Sequence, residues 1–109
     1  MERGEEILPG MQPRAAEAAG LLRLLGNDKR LLVLCHLVGG EKAVGELAGA
    51  VSLSQSALSQ HLALLRDSGV VATRRQAQAV FYRLADPKAA EVLGLLHRLY
   101  CHDDCKQPS

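Results

Sequence analysis

The strongest constraint on the fold is one helical segment with two opposed faces. Within the predicted helix Gln55–Ser68, Leu58, Leu62 and Leu65 recur at positions i, i+4 and i+7, which gives an apolar face. The opposite face consists of short polar side chains, and the segment contains neither lysine nor glutamate. Gly69 follows directly and is expected to end the helix. One side of this helix must therefore be buried, while the other side is free to contact a polar partner.

Two strand-like runs follow this helix. Val70–Arg75 alternates weakly, and Val80–Leu84 has the β-branched and aromatic content of a strand. Only Gln76–Ala79 separates them, so the sequence predicts a β-hairpin. Arg74 and Arg75 lie beside the predicted turn.

Four further helices are predicted around this unit from apolar spacing and capping residues. The first begins at Arg14 and ends before Gly26, and the second runs from about Lys29 to Val38. The third runs from Ala43 to Ala50, and the last begins at Asp86-Pro87 and ends at about His102. Asn27 or Asp28 can cap the second of these, which we expect to be largely buried. The predicted order is α-α-α-α-β-β-α. This is a mainly α fold with a β-hairpin wing, known as a winged helix-turn-helix.

The chain has 109 residues, enough for one domain. We predict a flexible leader over residues 1–13, a domain for DNA binding and dimerisation over residues 14–102, and a polar tail over residues 103–109. Apolar residues make up 48% of the chain and aromatic residues 3%, so the core must consist of leucine, valine and alanine. A small aliphatic core favours help from a second subunit, and a homodimer is expected.

Charge and cysteine content exclude several classes of protein. Residues 54–83 contain four arginines against Asp67 alone, a local net charge of +3, as expected of an anion-binding face. No run of 18 apolar residues is present, so we expect no membrane contact and a cytoplasmic location. Three cysteines at irregular spacing do not form a disulfide framework and should be reduced thiols.

Polar residues of the amphipathic helix fit the requirements of double-stranded DNA. Glutamine and serine side chains can bond to base edges in the major groove, and arginines of a wing can contact phosphates. For His61, packing and a phosphate contact are equally good interpretations. The predicted DNA-binding residues are Ser54, Gln55, Ser56, Ser59, Gln60, His61, Arg66, Arg74 and Arg75.

The block Ser54–Val71, with Arg74-Arg75 and Val80–Leu84, resembles the ArsR/SmtB superfamily of bacterial repressors. The resemblance implies a homodimer joined through the first and last helices. It also implies binding to an inverted-repeat operator, with two recognition helices in successive major grooves. An inducer would then release the DNA.

Within that superfamily the chain is most similar to the persulfide-sensing BigR/SqrR-like branch. That resemblance rests on Cys35 in the second helix and on Cys101 in the ending Leu-His-x-Leu-Tyr-Cys. It implies a persulfide or polysulfide inducer, a sulfur bridge between these two thiols, and no cofactor. Cys105 is outside the pattern and is either an accessory thiol or the true partner of Cys101.

Other interpretations stay open. Asp86 and His97 match zinc ligands of the superfamily, but Lys88 and Tyr100 replace the other two, and a lysine ammonium does not bind zinc. A soft cluster for a thiophilic metal is the weaker alternative; its members are His97, Cys101, His102 and Cys105. A peroxide-type dithiol sensor and a repressor with inert thiols are the remaining options for the cysteines. An enzyme is not expected, because the chain lacks a phosphate loop, a metal triad and a Cys-x-x-Cys motif.

Overall fold

Helices surround a small antiparallel sheet in the computed structural model, which describes the backbone of residues 10–106 and the side chains of residues 10–101. A single 3₁₀ turn, Gln12–Arg14, leads into the first helix. The helices and strands, in chain order, are α1 (Ala15–Leu25), α2 (Asp28–Val38), β1 (Lys42–Ala43), α3 (Val44–Val51), α4 (Gln55–Asp67), β2 (Val71–Gln76), β3 (Ala79–Leu84) and α5 (Pro87–Lys106). The winged helix-turn-helix predicted from the sequence is confirmed.

The core forms where α4 meets the other helices and the sheet. Leu58, Leu62 and Leu65 are all completely buried, as their spacing predicts. Buried leucines and valines of α2, α3 and α5 surround them, and Tyr82 is the single aromatic side chain of the buried cluster among the described residues. An almost purely aliphatic core thus holds the domain together.

The sheet contains one strand more than the sequence predicts. Its order is β1-β3-β2, with Lys42 opposite Tyr82 and Ala43 opposite Phe81. A two-residue strand is too short to show any periodicity, which is why β1 was missed. The hairpin loop is also shorter than predicted, because pairing continues to Gln76 and Ala79.

Helix ends follow the capping signals of the sequence. The side chain of Asn27 accepts a hydrogen bond from the backbone N–H of Arg30 (3.0 Å), and that of Ser54 accepts one from Ala57 (3.1 Å). Gly69 has a φ of 86° and follows α4, where the N–H of Val70 donates to the carbonyl of Leu65. This pattern is a Schellman motif, and it turns the chain directly into β2.

Two cations in the first turn of α2 tie three helices together. Arg30 donates to the carbonyl oxygens of Leu24 (2.8 Å) and Arg23 (3.1 Å), at the end of α1. Lys29 donates to the carbonyl oxygen of Val51 (3.5 Å), at the end of α3. Positive charge is favourable at both places, since the last carbonyls of a helix lack partners and carry partial negative charge.

Two expectations about helices are wrong. Helix α2 is not largely buried: Val33, Leu34 and Leu37 are buried, whereas Cys35 and Val38 on the other side are exposed. The last helix does not end at about His102 but continues to Lys106. Most of the predicted leader and residues 107–109 of the predicted tail lie outside the described residues. Over residues 10–106, no helix is both long and apolar enough to span a membrane.

Replacing Leu62 by alanine should lower the free energy of unfolding by about 2–5 kcal/mol, because it leaves a cavity where the side chain is fully buried. Leu64→Ala is the matched control, since Leu64 is on the same helix but 45% exposed, and it should cost less than about 1 kcal/mol. Urea denaturation of both variants at one protein concentration measures this. Equal losses would contradict the packing of α4 described above.

Candidate DNA-binding surface and cysteine site

Helices α3 and α4 form a helix-turn-helix with an exposed polar edge. The turn between them includes Ser52, whose φ of 58° lies in the left-handed region. Five of the predicted DNA-binding residues are exposed at the start of α4 and along its outer face, namely Ser54, Gln55, Ser56, Ser59 and Gln60. The N–H of Ala57 is bonded to Ser54, and the N-terminal end of this helix otherwise presents its first backbone N–H groups to an anionic partner.

The two other predicted contacts on α4 differ in exposure. His61 is half-buried, which agrees with a packing role. Arg66 is exposed and lies 3.8 Å from the carboxylate of Asp67, a contact too loose to hold it in place. For all α4 residues, contact with DNA stays a prediction.

The hairpin places its two neighbouring arginines on opposite faces. Arg75 is opposite Val80 in the register and is exposed. Arg74 is opposite Phe81, and its guanidinium carbon lies 4.9 Å from the centre of that ring. Side chains alternate along a strand, so the two arginines, predicted together as phosphate contacts, have different surroundings.

Glu41 also belongs to this surface, although no sequence pattern points to it. Its two carboxylate oxygens accept hydrogen bonds from Nε and Nη2 of Arg74, each 2.8 Å long. These bonds, with the positive charges of Arg74 and Arg83, hold the pKa of the Glu41 carboxyl below its ordinary value. The partners are 33 residues apart, so only the fold brings them together.

The two cysteines expected to act together lie on α2 and α5, two helices that pack against each other. Cys35 is exposed and borders a cavity of about 230 Å³ whose lining includes Gly39 of the following loop and Leu93, Gly94 and His97 of α5. Cys101 is half-buried further along α5. Partial burial raises the pKa of the Cys35 thiol, and negative charge on Cys101 raises this pKa further. Both side chains are free thiols.

The zinc-type alternative finds no support around Asp86. One carboxylate oxygen of Asp86 accepts the backbone N–H of Lys88 (2.9 Å), so this residue caps the first turn of α5. The ammonium of Lys88 lies 3.7 Å from the same oxygen. Within the described part of the chain, no three metal-ligating side chains come together. The side chains of His102 and Cys105, named in the soft-cluster alternative, lie outside that part.

The pKa of Cys35 can be measured from the pH dependence of its alkylation by iodoacetamide, followed by peptide mapping. Alkylation should have its midpoint above that of the urea-unfolded chain, since only the thiolate reacts and both burial and Cys101 disfavour it. In Cys101→Ser the midpoint should fall, yet stay above the unfolded reference because burial, the larger cause, remains. An unchanged midpoint in this variant would mean that the thiols do not interact.

Known proteins match nearly all of this chain. The family model "Bacterial regulatory protein, arsR family" matches residues 27–73, from the cap of α2 into β2. The transcriptional activator HlyU of Vibrio cholerae is 50% identical over 94 residues, which are 86% of this chain and 87% of that protein. The biofilm growth-associated repressor of Agrobacterium fabrum is 45% identical over 101 residues, 93% of this chain and 86% of that protein.

Solved structures match equally well. Reduced HlyU from V. cholerae is 50% identical and superposes with a TM-score of 0.81, covering 84% of this chain and 97% of its own. The transcriptional repressor BigR from Xylella fastidiosa is 44% identical with a TM-score of 0.81, covering 85% of this chain and 95% of its own. Identity at this level over most of both chains leaves no other assignment: this protein belongs to the ArsR family of winged-helix transcription regulators.

Proposed function

We propose that this protein is a dimeric repressor that binds inverted-repeat DNA and releases it when a sulfur bridge joins Cys35 to Cys101. The observation that carries the proposal is the packing of α2 on α5, with Cys35 exposed beside a cavity that α5 lines and Cys101 half-buried further along α5. Relatives named as repressors, in A. fabrum and X. fastidiosa, support repression, although the V. cholerae relative is named an activator.

The DNA-binding part of the proposal rests on the polar face of α4. Gln55 and Ser59 are exposed near the start of this helix, while Leu58 and Leu62 on the other face hold it against the core. A helix held in this way can enter the major groove with its N-terminal end toward the bases. ArsR-family regulators bind double-stranded operators, which agrees with this arrangement.

Persulfide chemistry suits two free thiols on neighbouring helices. A Cys35 thiolate attacks the outer sulfur of a persulfide RSSH and releases the thiol RSH, and Cys101 can react in the same way. Joining both through four sulfurs consumes three RSSH and yields three RSH and one H₂S. The third persulfide is therefore the two-electron oxidant, and no other oxidant is needed. The cavity beside Cys35 gives the added sulfurs room.

A sulfur bridge between α2 and α5 can change the affinity for DNA by acting on the dimer. Apolar side chains remain exposed on α1 and α5, including Leu22 at 60%, Leu99 at 65% and Tyr100 at 78%. We infer that they face a second copy of the chain, because exposed apolar groups this large mark an association surface. Tying α5 to α2 would then alter the spacing of the two α4 helices, and thereby the affinity for an operator.

The dimer is tested by placing a charge on this surface. Leu99→Arg should raise the dimer dissociation constant at least about tenfold, because each subunit would lose a buried leucine and gain a buried charge. Sedimentation velocity over a range of concentrations measures the constant. Arg98→Gln, a change at the next position of α5, is the control and should associate like the wild type. A monomeric wild type would refute the proposal.

The sulfur bridge is tested by intact mass after the reduced, metal-free protein has been exposed to an organic persulfide and then to an alkylating agent. We expect a gain of two sulfurs and a loss of two hydrogens, with Cys35 and Cys101 protected from alkylation. Cys35→Ser and Cys101→Ser should both abolish the bridge, and Cys105→Ser should retain it. The bridged protein should bind its operator about 5–150-fold more weakly than the reduced protein.

Other outcomes of the same experiment select the alternatives. A bridge from Cys101 to Cys105 would retain the chemistry but place the switch at the end of α5. A plain disulfide after peroxide, without sulfur gain from persulfide, would indicate a dithiol oxidant sensor. No reaction with either reagent would refute thiol sensing and make zinc, copper and cadmium titrations the next step.

A further inference from the structure

The wing is held by contacts that run across the whole sheet. Glu41 directly precedes the edge strand β1, and Arg74 lies in β2, the other edge strand. Between them is β3, and the Arg74 guanidinium lies over the ring of Phe81 on that central strand. The Glu41–Arg74 pair therefore spans the sheet from one edge to the other.

Three of the five N–H groups of Arg74 are engaged within the protein. Nε and Nη2 donate to the two oxygens of Glu41, and Nη1 donates to the side chain of Gln76 (2.7 Å). A bidentate arginine–carboxylate pair with stacking on an aromatic ring has a fixed geometry. Its charge is already paired with Glu41, so a phosphate would gain less from the two remaining N–H groups of Arg74 than from an unpaired arginine.

Arg75, unlike Arg74, is not held by polar contacts with neighbouring side chains in the described part of the chain. It is exposed next to the hairpin loop, and no hydrogen bond or ion pair to it is found within residues 10–101. It lies on the other face of the hairpin, the one that carries the buried Tyr82 at its base. Its guanidinium is free to pair with an anion.

We propose that Glu41 and Arg74 are positioning residues that fix the orientation of the wing, and that Arg75 supplies the wing's phosphate contact. A hairpin that projects beyond its sheet is only marginally ordered by its own pairing. The Glu41–Arg74 pair limits the twist of β2 relative to β1, and so sets where Arg75 points. This inference rests on the proposed binding of DNA.

The variant Glu41→Gln distinguishes a positioning role of the pair from a direct phosphate contact by Arg74, because the two roles predict opposite changes in DNA affinity. Glu41→Gln removes a negative charge from a surface that faces a polyanion, so it should tighten DNA binding if Arg74 contacts phosphate. If the pair positions the wing, the same change should weaken binding. Arg74→Lys separates the two roles again, because lysine retains the charge but loses the bidentate bonds and the stacking.

The experiment measures fluorescence anisotropy with a labelled mixed-sequence duplex of about 30 base pairs, roughly three helical turns, over a range of salt concentrations. Glu41→Gln and Arg74→Lys should each weaken binding roughly fivefold, with a smaller change in salt dependence than a lost phosphate contact causes, and the double variant should be no weaker than either, as for one coupled pair. Arg75→Gln should reduce the salt dependence by about one unit, the effect of one lost phosphate contact. Urea denaturation checks that all variants remain folded.

Tighter or unchanged binding by Glu41→Gln would overturn the inference, as would wild-type binding by Arg74→Lys. A reduced salt dependence in Arg74→Gln with none in Arg75→Gln would exchange the roles of the two arginines. Failure of the proposed DNA binding looks different, because the wild type itself would then show no salt-dependent affinity.

Discussion

Burial of three leucines on α4 is the constraint on which the rest of the structure depends. Leu58, Leu62 and Leu65 are inaccessible to solvent, and they fix both the rotation and the depth of the helix that carries them. Since these residues hold one face, the polar residues of the other face have a defined direction. The buried side chains around them are, apart from Tyr82, leucine, valine and alanine, so close packing holds α4 in this position.

Helix and wing achieve their orientation by different means. Burial of apolar side chains holds α4 in place. The wing is held on the face opposite Tyr82, by the contacts of Arg74 with Glu41 and Phe81. Burial depends little on salt, but exposed ion pairs are screened by it. The orientation of the wing should therefore depend more on salt concentration than the orientation of α4 does.

Much of the fold could be predicted from the sequence because its signals are local. Apolar spacing predicted α4, Asn27 was one of two cap candidates for α2, and Gly69 predicted the end of α4. The pair Glu41–Arg74 could not be predicted, since it depends on the sheet register between distant segments. The exposure of Cys35 was also missed, because leucines around α2 suggested burial on all sides. The pairing of Cys35 with Cys101 was predicted only from the family resemblance.

The near absence of aromatic side chains from this core also determines how the protein absorbs and emits light. The chain has no tryptophan and two tyrosines. Tyr82 is buried in the sheet at the base of the wing, whereas Tyr100 is 78% exposed and directly precedes Cys101. Ultraviolet emission thus comes from two native reporters, one sensing the packing of the sheet and the other the surroundings of the α5 thiol. Because the chain contains no tryptophan, one introduced by mutation would give a third emission signal with no background from native tryptophan.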